Sequence, residues 1–429
     1  MTSFLTRRSL RRTEQASLAD TVRALAVPLA ATIAIGVIQR RPWAVRLAAR
    51  IDADRHGVRQ LQRLRARYGD RPLRLRTPFR RVTLLLSPSD VRTVLSSTTA
   101  FTPAAAEKRA ALSRFEPGGV LISPAGERPA KRALNEEVLD ASRPHHRHAD
   151  AMRAVIREEG AALAVSGVLD WDRFAAGWWR MVRRIVLGDS AREDFETTDL
   201  LARLRRDANW GPFHPARPRV RADFLDRVRA YVDRAEPGSL ASLAGPEGVG
   251  QLPQWLFAFD AAGIATYRVL ALLSSRPGHG RDLPYLQACV QEAIRLWPTT
   301  PAILRDYVAP PFGADDRPVA GRVDHKLADG ELVVIYTPFF ARDESQVEWA
   351  HRFTPEAWLD GRAAESWSML PFSAGPAECP GRNLVLFTTS TMLETLLRGH
   401  AFALTTRPYP DPLPGTFDHV GTRFRVLPR

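Results

Sequence analysis

The feature that most constrains this chain is a cysteine set in a turn. In Phe372-Ser373-Ala374-Gly375-Pro376-Ala377-Glu378-Cys379-Pro380-Gly381, Cys379 stands between two glycines and directly ahead of an apolar helix expected from Arg382. Gly375 and Gly381 permit tight or left-handed backbone and close approach of a flat ligand, and Phe372 offers an aromatic wall. Amide groups at a helix start favour negative sulfur, so the turn suits a thiolate. A lone cysteine in a turn is more often a small buried hydrophobe, and companion residues must decide.

Composition sets the class of chain around that turn. Of 429 residues, 45% are hydrophobic and 25% charged, enough for a sizeable core and against a disordered chain, a collagen or a polytopic membrane protein. Cys289 and Cys379 make no disulfide framework and have no zinc spacing, so the expected compartment is the reducing cytoplasm. A formal charge of +14 would point to nucleic acid, yet residues 1–80 hold 18 arginines and five acids while the remainder is nearly neutral. The only lysines are Lys108, Lys131 and Lys326. The excess is therefore local, and no nucleic-acid partner is expected. Residues 24–38 form a 15-residue apolar run containing Pro28, short of the roughly 20 needed to span a bilayer. The run reads as a helix packed on the body, with peripheral membrane contact as the alternative. The chain divides on this reading into a basic arm, residues 1–56, dispensable for chemistry, and a body, residues 57–429.

Apolar spacing predicts helices over 129–139, 149–165, 171–187, 254–273 and 283–297, a helix through Val58, Leu61, Leu64 and Tyr68 that stops at Gly69, and a last helix from Gly381. Strands are expected over 72–77, 81–86, 302–306 and 332–336. Residues 101–124 read as a long irregular loop, and 306–331 and 341–378 as Gly-, Pro- and Asp-rich connections. The fold class is mainly α with a smaller antiparallel β region.

Two further patterns accompany the cysteine. Glu292-Ala293-Ile294-Arg295 places opposite charges on one helical face amid Leu286, Val290 and Leu296. Ala262-Gly263-Ile264-Ala265-Thr266 lies in the longest apolar helix, where Gly263 thins one face and Thr266 adds a hydroxyl. Each pattern is weak alone.

In this order, and with Phe353-Thr-Pro-Glu-Ala-Trp358 between the last two, the three patterns resemble the cytochrome P450 superfamily of haem-thiolate monooxygenases, in its bacterial, soluble form. The resemblance runs from about Gly69 to the C-terminus. It implies a P450 fold, haem b as cofactor, and Cys379 as the iron ligand whose thiolate pushes electron density toward iron. It makes Glu292 and Arg295 structural and sets Ala262, Gly263 and Thr266 on the oxygen side of the haem. Three departures stand out. Ala357 occupies the position of the arginine that usually joins Glu292 and Arg295, so Arg352 is the expected substitute. Ala377 stands where a propionate-binding Arg or His is common, which leaves Arg128, Arg132 and Arg305 as candidates for the haem propionates. Ala265 replaces the acid or amide that often precedes the threonine; Asp260 is a reserve proton carrier but is expected to face solvent.

The implied reaction is monooxygenation of an organic, largely apolar small molecule, in the manner of secondary metabolism. No dinucleotide fingerprint is left over, so electrons would come from NAD(P)H through a reductase and a ferredoxin or flavodoxin. Alternatives are a peroxide-using peroxygenase, a non-redox haem-thiolate isomerase or dehydratase, and a non-enzymatic haem sensor or interaction protein. Specificity is expected in residues 101–124 and 193–234. His145, His146 and His148 read as exposed loop histidines, Trp178 and Trp179 as helix packing, and Cys289 as a small buried hydrophobe.

Overall fold

Polar side chains set where the elements begin. Ser87 accepts a hydrogen bond from the Asp90 N–H at 3.2 Å and Pro88 follows, so the helix Pro88–Leu95 starts there. Asp170 accepts from the Arg173 N–H at 3.0 Å and opens Trp171–Leu187. Gly69, at φ +72°, closes Ala53–Tyr68 in a backbone region that other residues avoid. The computed structural model describes residues 10–165, 167–276, 278, 280–309, 327–364, 366–406 and 409–428.

The fold is mainly helical. Its strands are β1 (Glu14–Gln15), β2 (Leu73–Leu75), β3 (Val82–Leu84), β4 (Phe101–Thr102), β5 (Val168–Asp170), β6 (Ala302–Tyr307), β7 (Leu332–Tyr336), β8 (His400–Leu404) and β9 (Arg423–Pro428). They form a six-stranded sheet in the order β1-β2-β3-β7-β6-β4 and a three-stranded sheet β5-β9-β8. The smaller sheet is antiparallel throughout; the larger is mixed, because β1 with β2 and β3 with β7 run parallel. Both parallel pairs join strands far apart in sequence, where the long connection imposes no hairpin. In the β6–β7 register Arg305 lies opposite Val333.

The helix Arg382–Leu397 is buried on all sides and packs against Ala149–Ala164, Leu283–Leu296 and Leu252–Ser274. The cysteine turn leads straight into it and so is anchored to the core. Residues 101–124 are less irregular than expected, since they contain β4, the helix Ala106–Leu112 and a 3-10 turn at Val120–Ile122. Residues 193–234 are mostly the helices Phe195–Ala208 and Pro218–Arg234 rather than loop; Asp194 caps the first through the Thr197 N–H. Residues 310–326 of the 306–331 connection, with Lys326, lie outside the described residues.

The arm is woven into the body. Its helical run, Leu18–Ala24, a π-helical turn Leu25–Leu29 and Ala30–Ile35, starts at Ser17, whose hydroxyl accepts from the Asp20 N–H. Pro28 sits in the π turn, where a wider ring tolerates its missing N–H. β1 adds an edge to the large sheet, and Asp20 accepts a hydrogen bond from the Tyr68 hydroxyl at 2.8 Å. Asp52 accepts from the Thr416 N–H at 2.9 Å. A division after residue 56 falls within the helix Ala53–Tyr68, because the contacts that hold that helix come from both sides of it. Leu18–Ile35 is an 18-residue stretch apolar enough to cross a membrane by length and composition, and only 28% of it is buried. Leu252–Ser274 passes the same test but is 72% buried, as a core helix is.

Removal of residues 1–51 is expected to lower the thermal midpoint, by ~2–4 °C for each kcal/mol of lost contact, as read from a far-UV melt. An unchanged melt would show the arm to be an appendage.

Candidate active site

The Cys379 N–H donates to the Phe372 carbonyl at 2.9 Å and closes the turn on itself. Gly375 has φ +71°, and a Cβ there would lie 2.1 Å from the Leu95 carbonyl oxygen, so only glycine fits. Gly381 behaves differently from the expectation: its φ of −88° is ordinary. What its bare Cα provides is room, since a Cβ would stand 3.9 Å from the Cys379 sulfur. Burial raises the Cys379 thiol above its usual pKa, against the lowering effects of the Gly381 N–H and the Arg132 charge. A bound metal cation would favour the thiolate against that burial.

Arg132 stands with the turn rather than with an open site. It donates to the Glu378 carbonyl and, at 2.6 Å, to Glu136. Arg128 and Arg305 are placed differently. Arg128 donates to the Ser123 carbonyl at 2.7 Å, while its Nε is buried without a protein partner. Arg305 is 3% exposed, reaches only the Leu304 carbonyl, and is pushed down to about 10 by burial and by the Arg128 charge. Lys108 joins them; burial, Arg305 and Arg128 hold its ammonium well below the usual lysine range. The nearest acid, Asp306, is already taken by Arg80 and the Ala106 N–H. Three basic side chains thus share one partly buried place, with no acid free to balance them among the described residues. Lys108 was missed from sequence, although it is one of only three lysines and lies in the 101–124 segment.

The helix Leu252–Ser274 carries Thr266, fully buried, whose hydroxyl donates to the Ala262 carbonyl at 2.9 Å. Ala265 is buried beside it. Gly263 does not thin the helix for a planar ligand. A Cβ there would meet the Trp178 indole nitrogen at 2.8 Å, and that N–H donates to the Phe259 carbonyl at 2.8 Å; the glycine accommodates Trp178. Asp260 is not a proton carrier either, for it pairs with Arg205 at 2.6 Å.

Glu292 and Arg295 form a bidentate pair at 2.7 Å on both arms, with neither side chain exposed. Arg295 also donates to the carbonyls of Ala341, Ala350 and Arg352. Arg352 contributes only that carbonyl; its side chain is 57% exposed and turns toward Glu348. The missing arginine is replaced by neutral donors instead. The Thr354 N–H and the Trp358 indole N–H each reach Glu292 at 2.9 Å. Trp358 lay one residue beyond the gap at Ala357, in a segment where only a charged donor was sought.

Elsewhere, Trp178 is core packing and Cys289 is fully buried, with its thiol pushed up mainly by desolvation. His146 is not exposed: it is 4% accessible and bonds the Val138 carbonyl at 2.8 Å.

Residues 279–420, which span the Glu292–Arg295 pair and the Cys379 turn, match the family model for cytochrome P450. Over that third of its length the match is to the cytochrome P450 superfamily, and the fold is the P450 fold. A six-coordinated cytochrome P450 from Thermus thermophilus superposes with a TM-score of 0.64 at 21% identity, covering 86% of this chain and 97% of that one. A retinoic acid-bound cyanobacterial P450 superposes at 0.62 with 14% identity, covering 86% and 94%. Among curated proteins, trimethyltridecatetraene synthase of Zea mays is 29% identical over 51% of this chain and 39% of its own length. The mitochondrial 1,25-dihydroxyvitamin D(3) 24-hydroxylase of Rattus norvegicus is 33% identical over 24% and 19%. The chain therefore spans well under half the length of these two relatives. The P450 cofactor is haem b, and the site suits it: a thiol that needs a cation, and a cationic place that needs carboxylates.

Trp358→Phe keeps the ring and deletes one donor to a buried carboxylate, and is expected to cost about 1.5–3 kcal/mol. Chemical denaturation monitored by the haem and by far-UV signal measures it. A variant as stable as the parent would show that the indole N–H does not hold Glu292.

Proposed function

We propose that this P450 is a haem-thiolate monooxygenase that inserts one atom of O2 into an organic, largely apolar small molecule, the other atom leaving as water with two electrons and two protons supplied. The observation that carries the reading is the Cys379 turn, closed by the Phe372 carbonyl and Gly375, held through Glu378 by Arg132 and preceded in the chain by the buried Glu292–Arg295 pair. Haem, when bound, supplies the iron that takes up O2 and accepts electrons singly.

The residues have separate tasks in this reading. Cys379 would hold the iron, and Gly375 and Gly381 keep the turn close. Arg128, Arg305 and Lys108 would hold the two propionates, while Arg132 fixes the turn through Glu378. Thr266 would hold and pass a proton, after its hydroxyl turns from the Ala262 carbonyl toward the pocket or a water. With Asp260 engaged by Arg205 and Ala265 apolar, neither residue gives Thr266 an acidic neighbour.

Electrons would come from NAD(P)H through a reductase and a ferredoxin or flavodoxin. Asn383 ties the 141–143 loop to the start of the cysteine helix, where exposed Arg143 and Arg382 suit an acidic carrier. The names of the relatives, with trimethyltridecatetraene, 1,25-dihydroxyvitamin D(3) and retinoic acid in them, support an apolar substrate and a role in secondary metabolism. We place the protein in the cytoplasm with peripheral membrane contact through the arm, supported by exposed Leu18, Val22, Ile33, Trp43 and Leu47. A peroxide-using peroxygenase is the second reading, favoured by the unaided Thr266.

The reduced, carbon monoxide-bound protein is expected to show the red-shifted Soret band of thiolate-bound haem, and Cys379→Ser to lose it. A normal band in fresh parent protein would remove the assignment. Thr266→Ala is expected to retain substrate binding and reduction but to divert most reducing equivalents to peroxide, measured as product formed per NAD(P)H consumed. Equal or better peroxide-driven turnover in that variant would favour the peroxygenase.

A further inference from the structure

A second cationic place lies apart from the cysteine turn, where the arm closes over the body. A cavity of about 40 Å³ is lined there by Arg40 and Thr32 of the arm, Asp54, Arg268, Thr416 and His419. Arg268 is two residues past Thr266, about 200° around the helix, so the cavity is on the opposite side from the Thr266 hydroxyl.

The charges in it do not balance. Arg268 is 7% exposed; its Nη1 donates to the Trp297 carbonyl at 2.6 Å, and its Nε has no protein partner. Arg40 donates to the carbonyls of Gly36 and Thr299. His419 is 2% exposed with Nδ1 unpartnered, and burial together with the Arg268 and Arg40 charges holds its pKa well below normal. Asp54 is the one acid lining the cavity, while Asp260, paired with Arg205 at 2.6 Å, also acts on Arg40. Asp54 accepts from the Thr416 hydroxyl at 2.9 Å and the Tyr336 hydroxyl at 3.3 Å, and acts on both arginines without closing on either. Arg40, Arg205 and Arg268 against Asp54 and Asp260 leave one positive charge without a partner among the described residues, a costly arrangement at the buried Arg268 unless an anion joins it. The volume exceeds the roughly 10–15 Å³ that a single water needs on the same measure.

We propose that this cavity is a binding site for one monovalent anion of the carboxylate class, held by Arg40 and Arg268 beside His419. Occupancy fastens the arm, which brings Arg40, to the helix that carries Thr266. The anion is either a free small carboxylate or the acid end of a longer molecule, and the two sources differ in what chain length does.

The test uses the full-length haem-loaded protein, with thermal midpoint as the readout and ionic strength held constant with bulky sulfonate salts. Formate and acetate are expected to raise the midpoint saturably in the parent, with half-effect concentrations at least tenfold higher in Arg40→Gln. Arg268→Gln should behave alike; if that variant does not fold, Arg40→Gln, at the edge of the site, carries the test. Octanoate binding more than tenfold tighter than formate, with methyl octanoate inactive, assigns the site to the acid end of a longer molecule. Equal affinity for the two acids assigns it to the free ion. No saturable stabilisation of the parent, or a response unchanged in Arg40→Gln, overturns the proposal and leaves a cavity filled by water.

Discussion

The buried pair between Glu292 and Arg295 is the interaction on which the rest of the structure depends. Two charges without exposure are tolerable only if the remaining hydrogen-bonding positions are met, and here they are met from Ala341 and from the stretch 350–358. Arg295 gathers the carbonyls of Ala341, Ala350 and Arg352, and Glu292 receives the N–H groups of Thr354 and Trp358. A segment with little regular structure is thereby pinned to the helix Leu283–Leu296. That segment leads into the cysteine turn, so the position of Cys379 is inherited from the pair. The pair works by directing the chain, and its net contribution to stability is secondary.

The two sides of the candidate haem site carry unfavourable electrostatics of opposite kinds. On one side a buried thiol resists ionisation; on the other, Arg128, Arg305 and Lys108 repel one another. A ligand with a metal cation at its centre and carboxylates at its rim relieves both at once. Chain stability and cofactor binding are therefore linked, because whatever binds the folded form alone stabilises it.

Much of the fold was legible because the signals were local. Gly69, Ser87 with Pro88, and the apolar spacing of 171–187 and 283–297 place helix ends within a few residues of where they lie. The joint order of Gly263, Glu292 and Cys379 was legible for the family, while the separate roles were less so. Gly263 makes room for Trp178, and that contact joins two helices remote in sequence. Trp358 and Lys108 were missed for a related reason: each acts on a partner reached only through the tertiary fold, Glu292 for one and Arg305 with Arg128 for the other. The packing of the arm's helix was legible, whereas the pairing of β1 with β2 was not, because a two-residue edge strand leaves no periodic signal.

The arginine surplus itself finds an explanation in where the guanidiniums end. Arg342 is 1% exposed and donates to the carbonyls of Leu296 and Leu413; Arg268 donates to that of Trp297. Leu296 is the last residue of its helix and Trp297 follows it, before Pro298 prevents continuation, so both arginines bind carbonyls that the helix leaves unpaired. Arg183 serves the carbonyls of Ala191 and Arg192 in the same way. A planar fork with several donors can bind two or three carbonyls from different strands of chain, which a lysine ammonium does with less fixed geometry. Arginines such as these are internal cross-links between main-chain segments. Where Arg40 and Arg268 meet beside Asp54, with Asp260 engaged by Arg205, the unbalanced charge is the basis of the anion site proposed above.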